Sequence, residues 1–421
     1  MLITYKYNNF LSFKDSVEFN MLAPNSRVKN RFRNNYVALK NGFDVLKDAV
    51  IVGENAGGKS NFVRSLEYFC SFFLDSKAPS AERRTINNNN VDLKCPKETN
   101  SKQEFEIEIT DEFDTIYRYV LKVDYWGIVE EYLETKNEKK TSYKKVFTLR
   151  RIENDIYCAD DREACKPDKC ELKGNVSYEA SVPGINKNIK KMLIDGIEEK
   201  NSLGLFVTKL ALIGVKPAIE FISEVKGLCP KTYTVNYDLI LSLQSNPDYL
   251  NILKAKEYFE IFRMVDYSIC KIDIDDEKPL VESVIYRKKR NGDVFSRKIG
   301  ADSSGVREFF AWAIQIYKVI YENKVVIADE MDRVLNPILS DRVVSYINGK
   351  DHFGQFIFTS HNILHLNLKN YMKEQIYFIT KDIETLESEL YSLADFPDVR
   401  YETTKVYEFY MKGILGGTAI E

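Results

Sequence analysis

Apolar and polar positions along this chain change period several times, and each change marks an expected element. Leu2 to Leu22 alternates well enough for one or two strands, with Asn8-Asn9 as a turn. Ala49-Val50-Ile51-Val52 is a short β-branched run, the pattern of a buried strand. Behind it Phe62, Val63, Leu66, Phe69, Cys70 and Phe73 recur at helical spacing. Ser76 to Lys102 is polar, with Pro79, Pro96 and the run Asn87 to Asn90, and predicts an exposed loop. Phe105 to Ile109 alternates strictly, and Tyr117–Val123, Val129–Thr135 and Lys144–Arg150 also read as strands. An antiparallel sheet is therefore expected after the first helix.

Farther on the period lengthens. Ile189, Met192, Leu193, Ile197, Leu205, Leu210, Leu212, Ile219 and Ile222 follow a helical repeat, and Leu250 to Val265 is a second helical stretch. Val284 to Ser296 centres on Asn291-Gly292, the turn dipeptide of a β-hairpin. Phe309 to Tyr321 predicts a helix; Val325 to Ala328 and Gln355 to Thr359 predict buried strands. These changes suggest an N-terminal lobe over 1–180, a helical insertion over 181–267 and a C-terminal lobe over 268–421. No internal repeat is visible.

Composition narrows the class. With 421 residues, 44% hydrophobic and 29% charged, the chain has the balance of a globular protein with a real core. No signal peptide and no membrane-length apolar run is evident, so a cytoplasmic location is expected. The net charge of -3 argues against an evenly cationic surface but leaves room for a local basic groove. Seven cysteines do not suggest a disulfide framework. Cys158, Cys165 and Cys170, with distant Cys95, fit no standard zinc spacing, and free thiols in a loop are the default reading.

One segment carries specific chemistry. Gly53-Glu54-Asn55-Ala56-Gly57-Gly58-Lys59-Ser60 matches the phosphate-binding pattern G-x-x-x-x-G-K-[ST] between a strand and a helix. Glycines let backbone N–H groups curl around a phosphate, and the helix N-terminus adds its positive dipole end. Lys59 is expected to reach the β- and γ-phosphates and Ser60 to hold Mg²⁺. Val325 to Ala328 ends in Asp329-Glu330, an expected Mg²⁺-shell carboxylate followed by a general base. Alone, such a pair after an apolar run is common; beside an intact phosphate loop it gains meaning. Gln355 to Ser360 runs into His361, one of three histidines, a candidate γ-phosphate sensor. Asp302-Ser303-Ser304-Gly305 precedes a helix; it offers either an anion site or a plain helix cap.

The order phosphate loop, Ser-Ser-Gly helix, Asp-Glu strand and strand-His resembles the ABC-type ATPase head of transporter, SMC and break-repair proteins. That resemblance implies an α/β head, a mixed sheet with an antiparallel subdomain carrying a helical insertion. It implies ATP and Mg²⁺ as cofactors, bound by Gly53 to Asn61. It also implies that Ser303, Ser304 and Gly305 complete the site of a second subunit, with Asp332 near the subunit contact and His361 as switch histidine. A closer similarity is to stand-alone ATPases of bacterial anti-phage defence and abortive infection: AbiL-type ATPases, the AriA subunit of PARIS systems, and OLD-family heads. It rests on Asn9-Phe10-Leu11-Ser12-Phe13-Lys14, Asn201-Ser202-Leu203, Asp329-Glu330-Met331-Asp332, Leu335-Asn336-Pro337, Thr359-Ser360-His361-Asn362, Ala394-Asp395-Phe396 and Tyr410 to Gly417.

Asn336 stands where those ATPases carry histidine, and Val306 where they carry threonine. The lobe-linking glutamine has no clear counterpart; Gln103 is the candidate. By this resemblance the chain is an ATPase switch, a homo-oligomer of at least a head-to-tail dimer. Its separate effector would be a nuclease or toxin, its trigger a phage protein or DNA, and no membrane is involved. The alternative is a DNA-acting ATPase of the SMC or repair kind. Lys139-Lys140, Lys144-Lys145 and Arg287-Lys288-Lys289-Arg290 support it, unless they are solvated strand edges. The sustained heptads of an SMC coiled coil are not seen.

Overall fold

The computed structural model describes residues 1–74, 102–124, 127–137, 142–152, 156–158, 170–172, 177–198, 204–231, 247–275, 277–331 and 335–416. Cys95, Cys165, Lys139-Lys140, Asn201 to Leu203, Asp332, Gly417 and nearly all of the expected Ser76–Lys102 loop lie outside them. Around Cys158 and Cys170 the backbone forms a two-stranded ribbon.

A six-stranded sheet forms the middle of the molecule. Its order is Leu228–Lys231, Val325–Ala328, Gln355–Ser360, Asp48–Gly53, Ile376–Lys381 and Ser388–Ser392. The first five strands are parallel and the last is antiparallel to its neighbour. Parallel strands are covered on both faces and so read as unbroken apolar runs; Asp48–Gly53 is buried at every position. Within that run Ala49 and Ile51 turn to one core, Val50 and Val52 to the other. The helix Lys59–Leu74 covers the first face with Phe62, Leu66 and Phe69. Helices Lys256–Phe262, Ser304–Tyr321 and Pro337–Asn348 cover the second.

The expected antiparallel sheet is present, with seven strands. Leu2–Tyr7 lies beside Val17–Asn20 and Gln103–Thr110, followed by Ile116–Asp124, Gly127–Lys136, Lys144–Arg151 and Tyr178–Ser181. A buried glutamine ties the two sheets together. Gln355 accepts from Leu2 N (2.6 Å) and donates to Leu2 O (2.9 Å) and Leu46 O (2.8 Å).

The span 181–267 contains the helices Lys187–Glu198, Phe206–Leu212, Lys216–Gly227, Pro247–Leu253 and Lys256–Phe262. It also contains Leu228–Lys231, which returns to pair with Val325–Ala328 in the central sheet. That strand carries Pro230, which is tolerated because the strand is an edge. The helical repeat is also less regular than its sequence suggests. Leu193, Leu205, Leu210 and Ile222 are buried, whereas Ile189, Met192, Leu212 and Ile219 are exposed. Gly214, with φ +86°, separates the short helices Phe206–Leu212 and Lys216–Gly227. The helices are fastened to the antiparallel sheet by Glu131. Its fully buried carboxylate accepts from Phe206 N (2.7 Å), Val207 N (2.8 Å) and the Tyr119 hydroxyl (3.0 Å). Burial pushes the Glu131 carboxyl up to about 7 despite those donors.

The Asn291-Gly292 hairpin forms as Val284–Lys288 and Val294–Lys298. A third strand, Ile269–Asp273, just beyond the helical stretch expected over Leu250 to Val265, joins it. Among the described residues no helix is long and apolar enough to cross a membrane.

Candidate nucleotide site

In an open parallel sheet, ligands bind beyond the carboxyl ends of the strands. Here that edge gathers Gly53, Asp329, Glu330 and His361 from three neighbouring strands. The strand Gln355–Ser360 lies between the phosphate-loop strand and the carboxylate strand, so its last residues touch both neighbours.

The loop is shaped by close approaches. A Cβ on Gly53 would lie 2.3 Å from Ile379 O, and one on Gly58, where φ is +121°, would lie 2.5 Å from Ser388 Oγ. Only glycine fits these two positions. Ala56 also takes a left-handed backbone, with φ +61°. Two serines brace the loop from outside it. Ser388 Oγ donates to Gly57 O (2.6 Å) and shares a hydrogen bond with Ser12 Oγ (2.8 Å), which accepts from Asn61 Nδ2 (2.8 Å). Ser12 comes from the turn after the first strand, so the antiparallel lobe supports the loop directly. Gln103, the candidate lobe-linking glutamine, donates to Asn9 O (2.8 Å) and holds that same turn.

Lys59 is 5% exposed, and its ammonium donates to Gly53 O (2.8 Å) and Glu54 O (2.7 Å). A buried cation at a helix N-terminus and inside a glycine loop is a site built for an anion. The donor set therefore fits a nucleotide's phosphates, with Ser60 and Asp329 as oxygen ligands suited to Mg²⁺.

The carboxylates are positioned by a threonine the sequence reading did not single out. The buried Thr359 hydroxyl donates to Asp329 Oδ1 (2.7 Å) and accepts from Glu330 N (2.7 Å). One hydroxyl thereby fixes both members of the pair. Glu330 has φ +50°, a costly conformation for a residue with a long side chain, retained where the surroundings impose it. Asp329 is nearly buried, and Glu330 is half-buried.

His361 is exposed immediately beyond its strand. The turn that follows it is pinned from beneath. Asn362 Nδ2 donates to Ser340 Oγ (3.1 Å), and buried His365 bridges Ser340 Oγ (3.1 Å) and the Tyr371 hydroxyl (2.9 Å). Asn336 caps the helix Pro337–Asn348 by accepting from Leu339 N (2.9 Å), which gives this departure from histidine a structural use.

Ser303 occupies the N-cap position of the helix Ser304–Tyr321, yet its side chain makes no capping hydrogen bond. Ser303 and Ser304 are exposed, Gly305 has nothing within 4 Å of where a Cβ would sit, and Val306 is buried in the second core. The segment is held by a buried arginine. Arg287, read as part of a basic stretch, is 8% exposed and donates to Asp266 Oδ2 (2.7 Å) and Asp302 Oδ2 (2.7 Å). Asp302 Oδ1 accepts from Ser303 N (2.8 Å). Arg287 is thus a structural clamp, while Lys288, Lys289 and Arg290 are exposed.

Residues 49–175 match the family described as "AAA domain, putative AbiEii toxin, Type IV TA system". A comparison with curated proteins gives no match. Solved structures similar to this chain include the SMC head domain from Thermotoga maritima (10% identity, TM-score 0.41, covering 93% of this chain and 98% of that one). Another is the Smc head domain with an extended coiled coil, bound to the C-terminal domain of ScpA, derived from Pyrococcus furiosus (13% identity, TM-score 0.42, 98% of each chain). The chain has the mixed α/β fold of a P-loop ATPase head with an antiparallel subdomain.

Proposed function

We propose that this protein binds and hydrolyses ATP as an ABC-type head, and that it acts as the switch of a bacterial anti-phage system controlling a separate effector. The observation that carries the enzymatic part is the Thr359 link. It holds a candidate Mg²⁺ carboxylate and a candidate base beside a complete phosphate loop. Gly53 to Asn61 hold the phosphates, with Lys59 on the β- and γ-oxygens. When bound by Ser60 and Asp329, Mg²⁺ neutralises charge on those oxygens. Glu330 accepts the proton of the attacking water, and His361 orients the γ-phosphate. Exposed Ser303 and Ser304, with half-buried Gly305 and with no capping bond from Ser303, serve the phosphate loop of a second copy.

The defence role is supported by the family description, whose printed words name a toxin and a toxin–antitoxin system, and by the resemblance to abortive-infection ATPases. Among the described residues the DNA-acting reading is favoured by exposed Lys144, Lys145, Lys288, Lys289 and Arg290. One experiment separates the two. The chain is expressed with its neighbouring reading frames in a bacterial host. Plaque formation is compared among wild type, Lys59→Ala and Glu330→Gln, with phosphate release measured on the purified chains. The proposal expects protection by wild type, none with Lys59→Ala, and phosphate release slowed about 100-fold or more by Glu330→Gln. Equal plaquing in all strains, with Lys59→Ala sensitising the host to DNA breaks, supports the repair reading instead. Unchanged phosphate release in Glu330→Gln removes it as the base.

A further inference from the structure

Two exposed hairpins flank the two halves of the site, and their chemistry is complementary. One is the basic hairpin ending at Lys298, four residues before Asp302. Its outer strand Val294–Lys298 is exposed at every position and has a free edge in its three-stranded sheet. It carries Lys288, Lys289, Arg290 and Arg297 around Val294 and Phe295, which are 55% and 42% exposed. The Arg287–Asp302 bridge couples this hairpin rigidly to Ser303.

The other hairpin joins Ile376–Lys381 to Ser388–Ser392. Ser388, at its foot, braces Gly57 and Gly58 of the phosphate loop. Its tip is an ordered turn: Asp382 Oδ1 accepts from Glu384 N (2.9 Å) and Thr385 N (2.6 Å). That turn presents Ile383 and Leu386, 88% and 59% exposed, among Glu384, Glu387 and Glu389. Lys14 offsets part of this charge through its pair with Glu387 (2.9 Å).

We propose that the basic hairpin of one copy docks on the acidic hairpin of a second copy, closing each shared nucleotide site from the side. This rests on the head-to-tail arrangement above and adds its contact surfaces. In that arrangement the Ser303 segment of one chain meets the phosphate loop of the other. Each hairpin is fixed to one of those two elements, so the pairing of one site brings the pair together. Two-fold symmetry then forms the contact twice. Apolar side chains on each side, Phe295 beside Arg297 on one face of the outer strand and Ile383 with Leu386 at the other tip, lie within a charged surround, as in a desolvated contact with a polar rim. Nucleic acid would match the basic charge but leave the acidic, apolar tip without a role.

The test is a pair of charge reversals in a Glu330→Gln background, followed by sedimentation with MgATP. Lys289→Glu/Arg290→Glu/Arg297→Glu makes both hairpins of a chain acidic, and Glu384→Lys/Glu389→Lys makes both basic. All five residues are exposed, and binding of a fluorescent ATP analogue checks that each variant folds. Like-charge contact is formed twice in each homodimer, so each variant alone is expected to self-associate at least about tenfold more weakly. Mixed together, both contacts are complementary, and a 1:1 heterodimer is expected to form at near-parental strength. A parental chain that does not self-associate with MgATP overturns the head-to-tail reading and this proposal with it. A parental dimer unaffected by the reversals overturns the docking alone, as does weakening without recovery on mixing. Loss of duplex DNA binding by the Lys289→Glu/Arg290→Glu/Arg297→Glu chain, with its self-association intact, assigns the basic hairpin to nucleic acid.

Discussion

Thr359 shows how much a site depends on a residue with no chemistry of its own. Its hydroxyl donates to Asp329 and accepts from Glu330, across neighbouring parallel strands. Thr359→Val keeps the volume and removes the hydroxyl, leaving a buried carboxylate oxygen and a backbone N–H without that partner, at a cost of about 1–3 kcal/mol each. Losing a hydrogen bond that orients a metal-binding carboxylate slows activity roughly 10–100-fold. Phosphate release by Thr359→Val should fall in that range, and Thr359→Ser should recover most of it. A Val variant at the wild-type rate would remove the threonine from the account. The sequence displays the acting residues because their types are restricted: a glycine loop with Lys59 and Ser60, and a carboxylate pair at a strand end. It conceals Thr359, Ser12, Ser388 and Arg287, whose roles depend on neighbours 29, 49, 331 and 15 residues away. Thr359-Ser360-His361-Asn362 is recognisable as a pattern, but only pairing of the strands reveals what its threonine does.

At the scale of elements, strands buried on both faces and strictly alternating strands are legible because each follows one period over its whole length. The helices over 187–227 are less so, since Ile189, Met192, Leu212 and Ile219, which belong to the apolar repeat, face solvent and Gly214 divides the run. Leu228–Lys231 is hidden for a similar reason: four residues, one of them proline, give no period to read. Glu131 fixes those helices to the antiparallel sheet, and this joint should titrate. Burial raises its folded-state carboxyl to about 7, above the ordinary value of 4.5. The folded chain therefore holds a proton that the unfolded chain has lost, and stability falls as pH rises from 4.5 through 7. Buried Asp48, also raised to about 7 by burial, acts in the same direction. His352, lowered by burial to about 4, acts oppositely, below pH 6.5. Glu131→Gln isolates one group. Between pH 5 and pH 8 the wild type should lose up to about 3 kcal/mol more stability than this variant in denaturant titrations. Parallel pH profiles would mean that Glu131 stays ionised in the fold.

At the scale of the molecule, two sheets share one core and meet at the phosphate loop. Gln355 joins them near the first strand, and Ser12 joins them at the loop itself. Nucleotide contact with the loop therefore bears on both lobes. The same architecture leaves Ser303 and Ser304 at an exposed helix start, clamped by Arg287 but not used for capping. In the proposed head-to-tail arrangement a second copy uses this motif.

The most direct test of that shared site mixes two damaged chains. Lys59→Ala removes the phosphate cation, and Ser303→Arg blocks the contributed helix start, so neither homodimer has an intact site. In a mixed dimer one site carries both lesions and the other carries neither. Random pairing at equal amounts leaves about a quarter of all sites intact, by the symmetry of a two-fold interface. The account predicts almost no phosphate release from either chain alone and recovery toward that fraction on mixing. Wild-type rates from both single variants, or a wild-type chain that stays monomeric at saturating ATP while hydrolysing it, would contradict it.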